Sequence, residues 1–205
     1  FRNVVELNGK FYFCGSVNGL PTVYQVDPAT DEYKKVYQSI DQADFYKAYQ
    51  MGISVGISGI STFEDKLIIS LVGLEGAYIC ESDNPEDPDS FKVIATMSDM
   101  FNYPAYRYQD SIYGGSIWDM AVYNGSLYVS ICTGTPENKP DDNTMQSFAL
   151  IKGDRDDNGK WTWTSVIGDK EKDNAKYTYG IDPERTRSSA ANLCVYDGYL
   201  YIGEY

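Results

Sequence analysis

The chain has 205 residues, of which 42% are hydrophobic and 15% aromatic, and this is enough to bury a substantial core. Its formal net charge of −13 argues against nucleic acids and anionic membranes as partners, because both need a basic face. The sequence has no run of about 18 apolar residues, so we expect no membrane-spanning segment. Residue 1 already lies at the edge of a predicted strand, so we expect no signal peptide, as in a mature secreted protein.

The first predicted unit is a hairpin at residues 4–13, in which Asn8-Gly9 joins two strands of alternating apolar residues. Asn-Gly favours a type I′ turn, because both central residues of that turn need a positive φ. The same unit returns three times along the chain. Aligned on Gly9, Asp65, Gly125 and Gly198, the copies are 56, 60 and 73 residues apart, which are blade-sized periods for a β-propeller with lengthened loops.

Each of the first three copies is followed by two more predicted strands. These strands are residues 22–26 and 33–37, 77–80 and 91–95, and 148–151 and 161–166. The sequence therefore predicts an all-β fold, a β-propeller fragment of about three and a half four-stranded antiparallel blades. The predicted bounds are 1–39, 57–97 and 116–167 for the blades, 189–205 for the half blade, and 40–56, 98–115 and 168–188 for the long connections.

The hairpins carry a local resemblance to a known class of proteins. Asn124-Gly125-Ser126-Leu127-Tyr128-Val129 and Asp197-Gly198-Tyr199-Leu200-Tyr201-Ile202 follow the pattern Asn/Asp-Gly-x-Leu-Tyr-Val. The chain in this respect resembles bacterial secreted or surface β-propellers with kelch-like or Asp-box-like four-stranded blades. The resemblance covers nearly the whole chain and implies an architecture rather than an activity.

Three and a half blades are too few to close a propeller, which needs roughly four to eight. We therefore expect other protein to complete the ring. It is either the remainder of the same propeller on a second chain or fragment, such as a nicked parent, or a second copy of this chain. The nicked parent is favoured, since a ring of about seven blades needs roughly twice this length.

Successive turns of a meander alternate between the two faces of a propeller, so the long connections and the long loop at 133–147 are expected on one face. Long ordered loops on a rigid scaffold are usually functional, and tyrosine and arginine anchor interfaces. The first connection also offers Phe45, Tyr46 and Tyr49. The predicted ligand-binding residues are Tyr103, Tyr106, Arg107, Tyr108, Asp110, Trp118, Asp119, Tyr177, Tyr179, Arg185 and Arg187.

Catalysis and metal binding have weaker support in the sequence. The chain has no histidine, so it lacks a Ser-His-Asp or Cys-His arrangement. A pair of carboxylates for glycoside hydrolysis could be drawn from Asp110, Asp119, Asp182 and Glu184. Asp154-x-Asp156-x-Asn158-Gly159 matches the first half of a calcium loop, whereas position twelve is Ser165 instead of Glu. Calcium is therefore the one cofactor that the sequence suggests, and a plain hairpin turn is the alternative.

The four cysteines, Cys14, Cys80, Cys132 and Cys194, lack a C-x-x-C spacing, and buried free thiols are favoured over a disulfide.

The sequence as a whole favours a non-catalytic, extracellular or cell-surface binding scaffold. Its ligand is a glycan or a protein bound on the Tyr/Arg-rich loop face. One alternative is a carbohydrate-active enzyme, a glycosidase or lyase with acids at the channel mouth. Another is a purely structural propeller, which predicts loop tyrosines buried against the blades.

Overall fold

The computed structural model describes residues 3–17, 20–51, 55–73, 76–100, 116–132, 148–168, 170, 174–178 and 191–204. The chain divides into two compact units, Phe1–Ile94 and Ala95–Tyr205. The described residues contain no helix that is both long and apolar enough to cross a membrane.

The first unit contains two four-stranded antiparallel sheets in which each strand pairs with the next along the chain. The first sheet consists of β1 (Val4–Leu7), β2 (Lys10–Val17), β3 (Leu20–Asp27) and β4 (Glu32–Gln38). The second consists of β5 (Gly56–Phe63), β6 (Lys66–Gly73), β7 (Gly76–Ser82) and β8 (Lys92–Thr96), with β8 ending beyond the boundary between the units. Helix α1 (Gln42–Gln50) connects the two sheets, and a 3₁₀ turn lies at Pro88–Ser90.

The second unit begins with the end of β8 and the short helix α2 (Met97–Met100). Its main sheet contains β9 (Ser116–Tyr123), β10 (Ser126–Cys132), β11 (Ala149–Arg155), β12 (Trp161–Gly168) and β13 (Tyr177–Thr178). The final hairpin pairs β14 (Ala191–Tyr196) with β15 (Tyr199–Glu204). The predicted fold class is confirmed: the described chain is a propeller fragment of consecutive antiparallel sheets that ends in a hairpin.

Two features of the connections differ from the sequence prediction. The first connection contains helix α1, where a loop was predicted; the Asp41 side chain caps it by accepting the N–H of Asp44 at 2.8 Å. The third connection adds a fifth strand, because β13 pairs in parallel with β12 through Ile167 and Gly168. Two residues of strand are too few to show period-two alternation, so this strand has no signal in the sequence.

One core joins the two sheets of the first unit. It contains aliphatic and aromatic side chains from both sheets, namely Leu7, Tyr12, Cys14, Val23, Val36, Ile60, Leu67, Ile69, Leu71 and Cys80. Burial raises the pKa values of the Cys14 and Cys80 thiols to about 12, so both stay protonated and pack as small apolar groups. The prediction of buried free thiols is confirmed for these two, whereas the free thiol of Cys194 is exposed. The side chain of Cys132 lies outside the described residues.

The second unit has an equivalent core between its main sheet and the final hairpin. Phe148, Leu150, Ile167 and Ala191 are buried there, and Leu193 and Ile202 of the hairpin pack against them. Neighbouring sheets within each unit are therefore joined by face-to-face apolar packing.

Glu86 adds a polar link at the rim of the first unit's core. Its carboxylate lies in the β7–β8 turn and accepts hydrogen bonds from Lys10 at 2.5 Å, Lys34 at 2.7 Å and Gln25 at 3.1 Å, all in the first sheet. These hydrogen bonds lower the pKa of Glu86 from 4.5 to about 2. The turn of the second sheet is thereby fixed to three strands of the first.

Replacing Glu86 by Gln should lower the stability of the first unit near neutral pH. Because the folded-state pKa is depressed, the stabilisation is present above pH 4.5 and is lost as the pH falls towards about 2. Urea unfolding of E86Q and wild type should therefore give different midpoints at pH 7 and converging midpoints near pH 2. Asp83→Asn, in the same turn, serves as the control and should leave the midpoint at pH 7 unchanged. A difference that persists at pH 2 would contradict the assignment.

The four hairpin turns share one backbone conformation. Both central residues have positive φ in each turn, as in Asn124 (48°) and Gly125 (75°). Three of the turns have glycine at the second central position, whereas the second sheet has Asp65 at φ 58°. The predicted type I′ turns are confirmed. Of the four residues at the second central position, Asp65 has the least favourable backbone conformation, because the other three are glycines.

Glycine at position 65 and aspartate at position 125, introduced in separate variants, should therefore change the free energy of unfolding in opposite directions. We expect Asp65→Gly to raise the free energy of unfolding by about 0.5–1 kcal/mol, since glycine adopts positive φ without a Cβ clash. Gly125→Asp should lower it by a similar amount, because a Cβ at Gly125 meets no atom within 4 Å and only the backbone penalty remains. Urea unfolding of both variants tests this. Effects of equal sign would contradict it.

Candidate functional site

The predicted site residues are described only in part. Tyr103, Tyr106, Arg107, Tyr108, Asp110, Tyr179, Arg185 and Arg187 lie outside the described residues, as do the candidate acids Asp182 and Glu184. The structure places Trp118 and Asp119 on β9 and Tyr177 on β13. Because most of the predicted residues lie outside the described part of the chain, the predicted ligand site stays a prediction.

Trp118 and Asp119 both connect β9 to the final hairpin. The Trp118 indole N–H donates to Asn192 Oδ1 at 3.0 Å. Asp119 is only 8% exposed; its Oδ1 accepts the N–H of Met120 at 2.9 Å, and its Oδ2 accepts the N–H of Leu193 at 2.8 Å. Since a hydrogen bond from the main chain reaches each carboxylate oxygen, the geometry gives Asp119 a structural task between β9 and β14.

Tyr177 presents its ring to solvent. Its side chain is exposed, and the Lys176 ammonium lies 5.2 Å from the ring centroid, within the range of a cation–π contact. An exposed aromatic ring beside a cation is a common element of ligand-binding surfaces.

Helix α1 carries the largest described group of exposed aromatic residues in the connections. Phe45 is half-buried and Ala48 is fully buried, and these two residues, three positions apart, form the inward side of the helix. Tyr46 and Tyr49 have the same spacing and are both exposed. The helix therefore directs its small and apolar side chains inward and two phenol rings outward.

Two glutamines extend the outward side of α1. Gln42 and Gln50 lie four residues before and after Tyr46, so that Gln42, Tyr46, Tyr49 and Gln50 share one helical face, and all four are exposed. Rings provide flat apolar area, and amides donate and accept hydrogen bonds. We call these four residues the α1 face. The two tyrosines stand out in the sequence of this connection, whereas the glutamines do not. The signal for the glutamines is the capping residue Asp41 followed by helical spacing.

The candidate calcium residues have other partners. Asp154 accepts hydrogen bonds from Ser126 at 2.6 Å and from the Lys152 ammonium at 2.8 Å, and both lower its pKa. Asp156 accepts the N–H groups of Asn158 at 2.9 Å and Lys160 at 2.8 Å and so holds its own turn. Among the residues that the structure describes, no group of three or more His, Cys, Asp or Glu side chains could hold a metal ion. Calcium binding stays a prediction.

The similarity of this chain to known proteins is a similarity of fold. No protein-family model and no curated protein matches the chain, so the narrower kelch-like or Asp-box-like resemblance stays a prediction. Among solved structures, the phage phi92 endosialidase is similar over 97% of this chain and 30% of its own, at 13% identity and a TM-score of 0.49. An exo-1,5-α-L-arabinanase from a bovine ruminal metagenomic library is similar over 98% of this chain and 66% of its own, at 12% identity and a TM-score of 0.48.

A bifunctional GH43-CE protein of Bacteroides eggerthii is similar over 98% of this chain at 12% identity and a TM-score of 0.44. This chain spans only 25% of that protein's length. With TM-scores below 0.5, these similarities carry no argument about activity.

The structural task of Asp119 can be tested by substitution. Asp119→Ala removes the acceptor for the N–H groups of Met120 and Leu193 and should lower the free energy of unfolding by about 1–3 kcal/mol. Asp119→Asn keeps one carbonyl acceptor and should lose less. Urea unfolding measures both variants. An Asp119→Ala variant as stable as wild type would contradict the structural assignment.

Proposed function

We propose that this chain is part of an extracellular, non-catalytic β-propeller that binds a glycan, and that the α1 face belongs to the binding surface. The observation that carries the proposal is the outward orientation of Tyr46 and Tyr49 while Phe45 and Ala48 pack inward. Flat rings stack on the apolar faces of sugars, and the amides of Gln42 and Gln50 can bond their hydroxyls. A protein ligand is the second candidate for the same surface.

Exposure of the three described connection tyrosines counts against a purely structural propeller. That alternative predicts tyrosines buried against the blades, whereas Tyr46, Tyr49 and Tyr177 are all exposed. Each lies in a connection between sheets, where long segments on a rigid scaffold are usually functional.

A carbohydrate-active enzyme is the remaining alternative. It needs two carboxylates about 5–10 Å apart beside the scissile bond. Of the candidate acids, Asp119 alone lies in the described part of the chain, and both its oxygens accept main-chain N–H groups. Asp119 therefore already has a structural task, and release of reducing sugar from a bound glycan would favour the enzyme.

The glycan proposal is tested by screening the chain against a panel of polysaccharides and oligosaccharides and then titrating the best ligand calorimetrically. Tyr46→Ala and Tyr49→Ala should each weaken binding about tenfold, because each removes one stacking ring. Tyr33→Ala is the matched control: Tyr33 and Tyr49 are both 74% exposed, and Tyr33 lies at the β3–β4 turn, at the other end of the first sheet.

Three results would contradict this function. One is the absence of binding to every glycan on the panel. Another is equal weakening by Tyr33→Ala and Tyr49→Ala. The third is unchanged affinity in the Tyr46→Ala/Tyr49→Ala double variant while its circular dichroism spectrum matches wild type.

A further inference from the structure

The two rings of the α1 face have a fixed spacing along the helix. Tyr46 and Tyr49 are 60% and 74% exposed and lie three positions apart in α1. Side chains with this spacing are neighbours on a helix surface, with Cβ atoms about 5–6 Å apart. That distance is close to the repeat of successive pyranose rings in an extended glycan chain. Each phenol ring can therefore meet a sugar of its own.

The two glutamines of the α1 face lie on either side of the rings along the helix axis. Gln42 lies four positions before Tyr46, and Gln50 lies one position after Tyr49. Since an α-helix rises about 1.5 Å per residue, the distance along the axis from Gln42 to Gln50 is about 12 Å. The face is therefore longer than one sugar and matches a short segment of a linear chain.

The α1 face carries no formal charge, because it consists of two phenols and two amides. Asp44 and Lys47 lie two positions before and one position after Tyr46, so they point away from its ring. These two residues are three positions apart, where opposite charges offset each other. The whole chain has a formal net charge of −13, which repels polyanions. The α1 face therefore suits an uncharged ligand.

We propose that the α1 face binds a segment of a linear, uncharged glycan of hexopyranose sugars, which lies along the helix axis. Successive sugars stack on Tyr46 and Tyr49, and their hydroxyls bond to the amides of Gln42 and Gln50. This inference rests on the proposed glycan-binding function and adds the class of the ligand. A chain of uronic acids would bring negative charge to a surface that has no cation to offset it.

The first test varies the length of the ligand. Linear gluco-, manno- and galacto-oligosaccharides of increasing length are titrated calorimetrically against the chain. For the series that binds best, affinity should rise about tenfold from the monosaccharide to the trisaccharide, because the second ring and the second amide are then engaged. In Tyr49→Ala most of this rise should disappear. A monosaccharide that binds as tightly as the longer chains would overturn the proposal.

The second test varies the charge of the ligand on one backbone. The same oligosaccharides are compared with counterparts in which the C6 hydroxyls are oxidised to carboxylates. The neutral form should bind about tenfold more tightly, and its affinity should be the same at low and high salt, since no charged contact is screened. Equal or tighter binding of the oxidised form would overturn the proposal.

A charge-reversing variant locates the effect on the α1 face. Gln50→Lys should raise the affinity for the oxidised form about tenfold, because it supplies the missing cation. Lysine suits the last turn of a helix, so the fold should be retained, and circular dichroism checks this. Ala29→Lys adds the same charge at an exposed position in the β3–β4 turn and serves as the matched control. An equal gain in Ala29→Lys would overturn the placement of the ligand.

These outcomes separate the class of ligand from the proposed function. If only acidic or branched glycans of the wider panel bind, the neutral linear ligand is wrong and the glycan-binding function stands. If no glycan of the wider panel binds, both are wrong.

Discussion

The structure depends on the register that each type I′ turn imposes on its hairpin. With both central residues at positive φ, the pairing across the turn is fixed, and a slip of one residue would exchange the two faces of the hairpin. In the first unit, Leu7 and Tyr12 of the first hairpin pack towards the following sheet. In the second unit, Leu193 and Ile202 of the final hairpin pack towards the preceding sheet.

That constraint explains why the fold could be predicted from the sequence. Period-two alternation beside Asn8-Gly9 and its repeats locates the strands, and consecutive strands of a meander pair without further information. Helix α1 was missed because its tyrosines and single buried Ala48 give it a weak apolar stripe. Strand β13 was missed because its pairing with β12 depends on tertiary placement.

The site was less predictable than the fold. Composition marked the connections as rich in tyrosine, and the exposure of Tyr46, Tyr49 and Tyr177 agrees with a surface function. Asp119 was predicted as a ligand-binding residue together with its neighbour Trp118. One of its two hydrogen bonds to main-chain N–H groups comes from Leu193 of the adjacent strand β14, seventy-four residues away, and no local pattern reveals such a contact.

The central claim is that the register of each hairpin decides which aromatic side chains are buried. Hydroxyl-radical footprinting of the native chain, read by peptide mass spectrometry, tests it residue by residue. The account predicts that Tyr12 is strongly protected, since it is 3% exposed, and that Tyr33 and Tyr49 are modified at similar high rates. Equal modification of Tyr12 and Tyr33 would contradict the register.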